Sequence, residues 1–140
     1  MNKSGASLDD IKIHVRIKLS ALWTSVVFCY IYADYFGLYV PGKLQGMLEG
    51  KMAPLGSTTQ GILIVTSVML AVPSVMVFLS LALKPGLARW LNIIFGVLYT
   101  LIILVTMWGW AFYIFYGIVE VTLTALIVWY AWTWPKREAV

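Results

Sequence analysis

The run WAFYIFYGIVEVTLTALIVWYAWTW, from Trp110 to Trp134, decides the fold. It is 25 residues long, and its single charged side chain is Glu120. A helix rises about 1.5 Å per residue, so roughly 20 apolar residues cross the hydrocarbon of a bilayer. Three further runs meet that length, from Lys18 to Leu38, Gln60 to Leu83 and Ala88 to Met107. Inside lipid the backbone must satisfy its own hydrogen bonds, and none of the runs shows the alternation of a barrel strand, so all four read as helices. The expected fold is all-α, a polytopic membrane protein with four transmembrane helices in one domain over residues 1–140.

Composition agrees with that reading. Of 140 residues, 61% are apolar and 11% charged, with mean hydropathy +0.88. A soluble domain carries about 25% charged residues. The net charge of +4 does not point to nucleic acid, because the ten Lys and Arg flank apolar runs instead of lining one face. With the N-terminus inside, Lys3, Lys12, Arg16, Lys18, Lys84, Arg89, Lys136 and Arg137 fall on the cytoplasmic side. Lys43 and Lys51 fall opposite, a bias of eight to two. Both termini are therefore expected in the cytoplasm. Trp90, Trp129, Trp132 and Trp134 sit at the inner boundary, and Tyr35, Phe36, Tyr39, Trp108 and Trp110 at the outer one, as interfacial aromatic belts do. The first span is too long for a signal-peptide core, and no small-residue cleavage pattern follows it.

The connections differ in length. Lys84-Pro85-Gly86-Leu87 reads as a tight turn, and Gly109 marks a shorter one, so neighbouring helices are expected antiparallel, up-down-up-down. The long loop, residues 39–59, carries Leu44, Met47 and Leu48 at helical spacing, which suits a short interfacial helix weakened by Gly46 and Gly50. Ser7-Leu8-Asp9-Asp10 resembles a helix start, whereas Ile11 to Lys18 alternates like a strand. A lone strand leaves both edges unpaired, which favours a helix leading into the first span.

Acids inside the spans are the residues that need a chemical explanation. Glu120 lies about ten residues into the fourth span, near the midplane. Asp34 lies about a turn from the outer end of the first. An ionised side chain at the bilayer centre costs about 2.5–3.5 kcal/mol on insertion scales. No Lys or Arg lies deep in any span, so Glu120 holds its proton, meets an incoming cation or ligand, or borders a wet cavity. Its stripe includes Tyr113, Tyr116, Gly117 and Thr124, and the third span offers Asn92, Gly96, Tyr99 and Thr106. Tyr30 is one turn from Asp34. Pro73 in the second span frees a backbone carbonyl and is expected to kink its helix. Converging stripes would enclose a small ligand-binding pocket of Glu120, Asp34, Tyr30, Tyr99, Tyr113 and Tyr116 in the outer half, closed by the long loop.

Each feature also has a purely structural explanation. Glu120 serves equally as glue between helices, bonding a carbonyl or Tyr99, and the tyrosines as belt and packing. Asn92 reads as a helix–helix hydrogen bond, Ala33 and Gly37 as a small pair permitting close approach, His14 as solvated and Cys29 as packing. One His and one Cys make no ordinary zinc or haem site, and neither a phosphate-binding loop nor a dinucleotide fingerprint occurs, so no catalytic residue, metal or cofactor is assigned.

Tyr32-Ala33-Asp34-Tyr35-Phe36-Gly37-Leu38-Tyr39 with Pro41-Gly42 resembles an uncharacterised family of small bacterial four-span membrane proteins. Phe78 to Leu83, Arg89 to Ile94 and Val128 to Trp132 fit the same pattern, and the likeness runs from Asp10 to Pro135. It implies a bacterial inner-membrane location and no particular activity. In size and span count the chain is also similar to four-helix proteins of the DoxX type, some linked to quinone or thiol oxidation. Three functions follow as expectations. The first is binding or transport of a small molecule or proton, in a homo-oligomer where a path is needed. The second is an accessory or assembly subunit of a larger membrane complex, and the third a quinone-type oxidoreductase subunit. The lipid bilayer is the expected partner, and nucleic acid is not.

Overall fold

A computed structural model of the chain describes residues 11–52 and 54–135. Four long helices dominate it: α1 (Val15–Gly37), α3 (Gln60–Ala82), α4 (Pro85–Thr106) and α5 (Ala111–Trp132). Each is long and apolar enough to cross a membrane. Between α1 and α3 lie a short helix, α2 (Lys43–Leu48), and a two-residue hairpin of β1 (Lys51–Met52) and β2 (Gly56–Ser57). The hairpin is a small addition to an otherwise all-helical chain. Two-residue strands carry no periodicity to read, and this hairpin has Gly50 just before β1 and Gly56 at the start of β2, both at positive φ.

Local chemistry sets the helix ends. His14 caps α1 by accepting from the Arg16 N–H at 3.3 Å, and Thr59 caps α3 through the Ile62 N–H at 3.2 Å. Residues 11–14 are neither helix nor strand, so the alternating stretch divides: its first half leads in and its second half is already α1. Ser7 to Asp10 lie outside the described residues. Helix α4 begins at Pro85, inside the expected turn, because proline suits the first helical position, where its missing N–H has no intrahelical partner anyway. Gly42, at φ 80°, starts α2 in a conformation that other residues rarely adopt.

Helix α1 packs against α3 and α5, and α5 also packs against α4, whereas α3 and α4 touch sparingly despite the short link between them. The core gathers Leu19, Trp23 and Val26 of α1, Met76 of α3, Ile93 and Tyr99 of α4, and Ile127 and Ala131 of α5. Most of it lies toward one end, where α1 and α4 begin and α3 and α5 finish. Arg16 donates to the Leu81 carbonyl there at 2.9 Å, and Arg89 to those of Ala131 and Trp132 at 3.1 and 3.2 Å. Two arginines thus satisfy carbonyls in the last turns of two helices, where the dipole also favours positive charge. This arginine end is further tied by Lys18, 5.2 Å from the Tyr130 ring centroid. The opposite, loop end carries α2 and the hairpin.

Buried polar groups at the arginine end are all used. Trp23 Nε1 donates to Asn92 Oδ1 at 2.8 Å, and Ser80 Oγ lies 3.2 Å from the same oxygen. Asn92 Nδ2 donates to the Ala88 carbonyl at 2.8 Å. Ser20 Oγ donates to the Val77 carbonyl at 2.9 Å. One asparagine therefore joins three helices, the interhelical role expected for it. Trp23 is fully buried and belongs to the core rather than to a belt. The rings expected in the belts at Tyr35, Tyr39, Trp90, Trp108, Trp110, Trp129 and Trp132 are exposed on the protein surface.

Candidate functional site

Glu120 faces the bundle interior and is 5% exposed. Gly117, one turn before it, has no side chain, and Met107 fills that space: a Cβ on Gly117 would lie 2.5 Å from Met107 Cβ. Thr124, one turn after, donates to the Glu120 backbone carbonyl at 3.0 Å and meets the Thr100 hydroxyl at 2.7 Å. These contacts fix α5 against α4 around the acid without using its side chain. Among the described residues Glu120 Oε1 is the one buried side-chain polar atom with no hydrogen-bond partner. Buried polar atoms are rarely left so, because each forgoes its water without compensation. The structural-glue expectation asks for an interhelical bond, and among the described residues Oε1 makes none.

Helix α1 supplies the facing wall. Cys29, Tyr30 and Asp34 lie on the helix that packs against α5. Tyr30 is half-buried, its ring centroid 6.5 Å from that of Tyr99 on α4, and Tyr99 in turn meets Trp23 edge-on at 5.9 Å. The structure thus brings Glu120, Tyr30, Tyr99 and Asp34 into one region of the loop-end half. Tyr116 lies apart, stacked on Phe36 at 6.5 Å.

The Tyr99 hydroxyl is already engaged. It donates to the Met69 carbonyl, four residues before Pro73. That is the carbonyl a proline at position 73 leaves without its helical N–H. Tyr99 therefore repairs a fault in α3, and what it offers the interior is its ring. The i−4 spacing from Pro73 identifies the freed carbonyl from sequence, but not the residue that answers it.

Tyr113 is engaged as well. Lys43 of α2 donates to its hydroxyl at 2.7 Å and lies 5.4 Å from its ring centroid. Both press on Gly37, where an added Cβ would collide with the Tyr113 hydroxyl and lie 2.8 Å from Lys43 Nζ. Gly37 was expected to let helices approach each other; its closest neighbours are these two side-chain tips. Asp34, exposed at the surface, feels the Lys43 charge, but among the described residues the ion pair is Lys51–Glu49 at 2.7 Å. The Lys43 latch escapes a sequence reading, because nothing local ties residue 43 to residue 113.

The open seam between α3 and α4 holds a second feature not expected from sequence. A groove of about 210 Å³ runs there, lined by Val68, Ala71, Val72, Val75, Met76, Leu79 and Phe95. It is wholly apolar and lies on the outside of the bundle, so it is not the expected acidic pocket. Among the described residues no three His, Cys, Asp or Glu side chains gather as metal ligands would.

The family of unknown function DUF6326 matches residues 10–140, nearly the whole chain. The chain belongs to that family. Neither curated proteins nor solved structures gave a match.

Proposed function

We propose that this is a bacterial inner-membrane protein that binds a small molecule or a proton in the loop-end half of its bundle, with Glu120 as the recognition group. The bundle is up-down-up-down with both termini cytoplasmic, the orientation favoured by the eight-to-two bias of basic residues in the sequence. One observation carries the binding role. A carboxyl oxygen is buried in the bundle with no hydrogen-bond partner among the described residues. An intramembrane acid with an oxygen that bonds nothing among the described residues is explained by something it bonds in use. Asp34, exposed near the loop end, stands where a ligand or proton would enter.

A lipid-soluble carbodiimide, which reacts with protonated carboxyls that it can reach, tests the reading. Intact-mass and peptide analysis of the folded protein is expected to find Glu120 modified, and Glu120→Gln to lose that modification while keeping its helical spectrum. A folded protein whose Glu120 stays unmodified would overturn the binding role. The accessory-subunit alternative draws on the long loop, where Leu44, Met47 and Leu48 are exposed. Deleting residues 43–51 is expected to abolish co-purification of a partner under that alternative, and to leave Glu120 modification intact under ours.

A further inference from the structure

We propose that the seam between α3 and α4 holds one acyl chain of an anionic phospholipid, with the headgroup at Lys84. This site is on the outside of the bundle and does not involve Glu120.

The seam is built as a slot. Helices α3 and α4 touch sparingly, although only Leu83 and Lys84 separate them in the chain. Two polar ties cross between them. Near mid-span the Tyr99 hydroxyl donates to the Met69 carbonyl, and toward the arginine end Ser80 Oγ lies 3.2 Å from Asn92 Oδ1. Along this stretch the walls are apolar, from Val68 to Leu79 on α3 with Phe95 on α4, and about 210 Å³ is left open. The ties fix the spacing of the helices, and the wall side chains do not close the gap. Wall atoms that face a gap forgo dispersion contacts, which a flexible hydrocarbon chain restores.

Length separates the candidates for the occupant. From Val68 to Leu79 the slot rises about 16 Å along α3. That is roughly half the hydrocarbon thickness of a bilayer, hence one leaflet. It stops just short of Ala82, where α3 ends on the arginine side. A partner's transmembrane helix would engage the full thickness and pack best on small residues, whereas Ala71 is the one small residue lining the slot. A single lipid tail entering from the arginine side fits both the length and the walls.

Charge selects the headgroup. Among the described residues the acids are Asp34, Glu49 and Glu120, and all three lie in the loop-end half. The arginine end carries Arg16, Lys18, Lys84 and Arg89. Arg16 and Arg89 are bonded to helix carbonyls, and Lys18 sits beside the Tyr130 ring. Lys84 is exposed, forms no ion pair among the described residues, and belongs to the link that joins the two walls of the slot. Its ammonium stands where the phosphate of a lipid seated in the slot would lie. The surrounding cations repel a choline group and favour a headgroup of net negative charge.

Photoreactive lipids test the site on the full chain in phosphatidylcholine nanodiscs. Trace phosphatidylglycerol with a diazirine midway along one tail is compared with phosphatidylcholine bearing the same tail, and peptide mass spectrometry locates the adducts. Over Val68 to Leu79, phosphatidylglycerol is expected to label about fivefold more than phosphatidylcholine. At Leu126 and Trp129, exposed on α5 in the same half of the bundle, the two are expected to label equally. Lys84→Gln is expected to bring the ratio in the slot to near parity, and Lys84→Arg to keep it. Val75→Phe, which puts a ring into the slot, is expected to lower labelling there by phosphatidylglycerol several-fold. Lys84 and Val75 are both exposed, so these variants are expected to keep the fold. Equal labelling of the slot by the two lipids, or a ratio that Lys84→Gln leaves unchanged, would overturn the headgroup assignment. Labelling that Val75→Phe leaves intact would overturn the tail site. A slot that neither lipid labels, in a protein that cross-links as a dimer, would mean that a second copy covers it instead.

Discussion

The two ends of this bundle solve the same problem in opposite ways. At the arginine end, buried polar groups answer one another: Trp23 and Ser80 meet Asn92, Ser20 meets the Val77 carbonyl, and two arginines satisfy helix carbonyls. At the loop end a buried carboxyl oxygen is left without a partner. Both ends draw on one chain, one solvent and one helical architecture. The difference is that one end is built for stability and the other gives some of it up, a trade common at sites reserved for a ligand.

The largest expected effect lies at the arginine end. Trp23→Ala removes a fully buried indole and is expected to cost about 3–5 kcal/mol. Asn92→Leu leaves the buried Trp23 N–H without its acceptor, at about 2 kcal/mol, while the Ser80 hydroxyl keeps the Met76 carbonyl at 2.7 Å. Reversible unfolding in mixed micelles measures both, and carbodiimide modification of Glu120 is expected to persist in Asn92→Leu wherever that variant stays folded. Loss of modification there would erase the distinction between the ends.

Next comes the pairing of Tyr99 with Pro73. Tyr99→Phe strips the donor from the Met69 carbonyl and is expected to cost about 0.6–1.7 kcal/mol. In a Pro73→Ala background the helix regains its own N–H, so the same change is expected to cost close to nothing. A double-mutant cycle that shows no coupling would mean Tyr99 does not repair α3.

Gly37→Ala sharpens the comparison more quietly. Its new methyl meets the flexible tips of Tyr113 and Lys43, so stability is expected to shift by less than about 0.5 kcal/mol. Amide exchange over residues 43–48 is expected to quicken as the latch opens, while exchange in α4 stays unchanged. The smallest effect is at Glu49, whose carboxyl is held below its ordinary range by bonds from Lys51 and then Gln45. Such a group adds stability above its unfolded value and loses it as pH falls through the folded one. The hairpin is therefore expected to loosen on acidification, and Lys51→Met to weaken that dependence in chemical-shift titrations, leaving the part that comes from Gln45.

How much of this was legible in the sequence follows from the range of each interaction. Hydropathy marks α1, α3, α4 and α5 because span length is a local property, and the ends moved by more than two residues only where Pro85 and Val15 proved able to start a helix. Glu120 stood out by elimination, being the acid deepest in a run with no cation. The arginines were read only for orientation, since their carbonyl partners lie across other helices. Trp23 has the composition of a belt residue and the position of a core one; only packing separates the two. The Lys43–Tyr113 latch and the α3–α4 seam depend on how helices lean, which no spacing rule encodes.

Replacing Glu120 by leucine tests the difference between the ends most directly. A side chain held in reserve for a ligand is a liability in the empty protein, so Glu120→Leu is expected to raise unfolding free energy by about 1–3 kcal/mol in the same micelles. A loss of that size would mean that Glu120 holds the helices together, and that the loop end is structural after all.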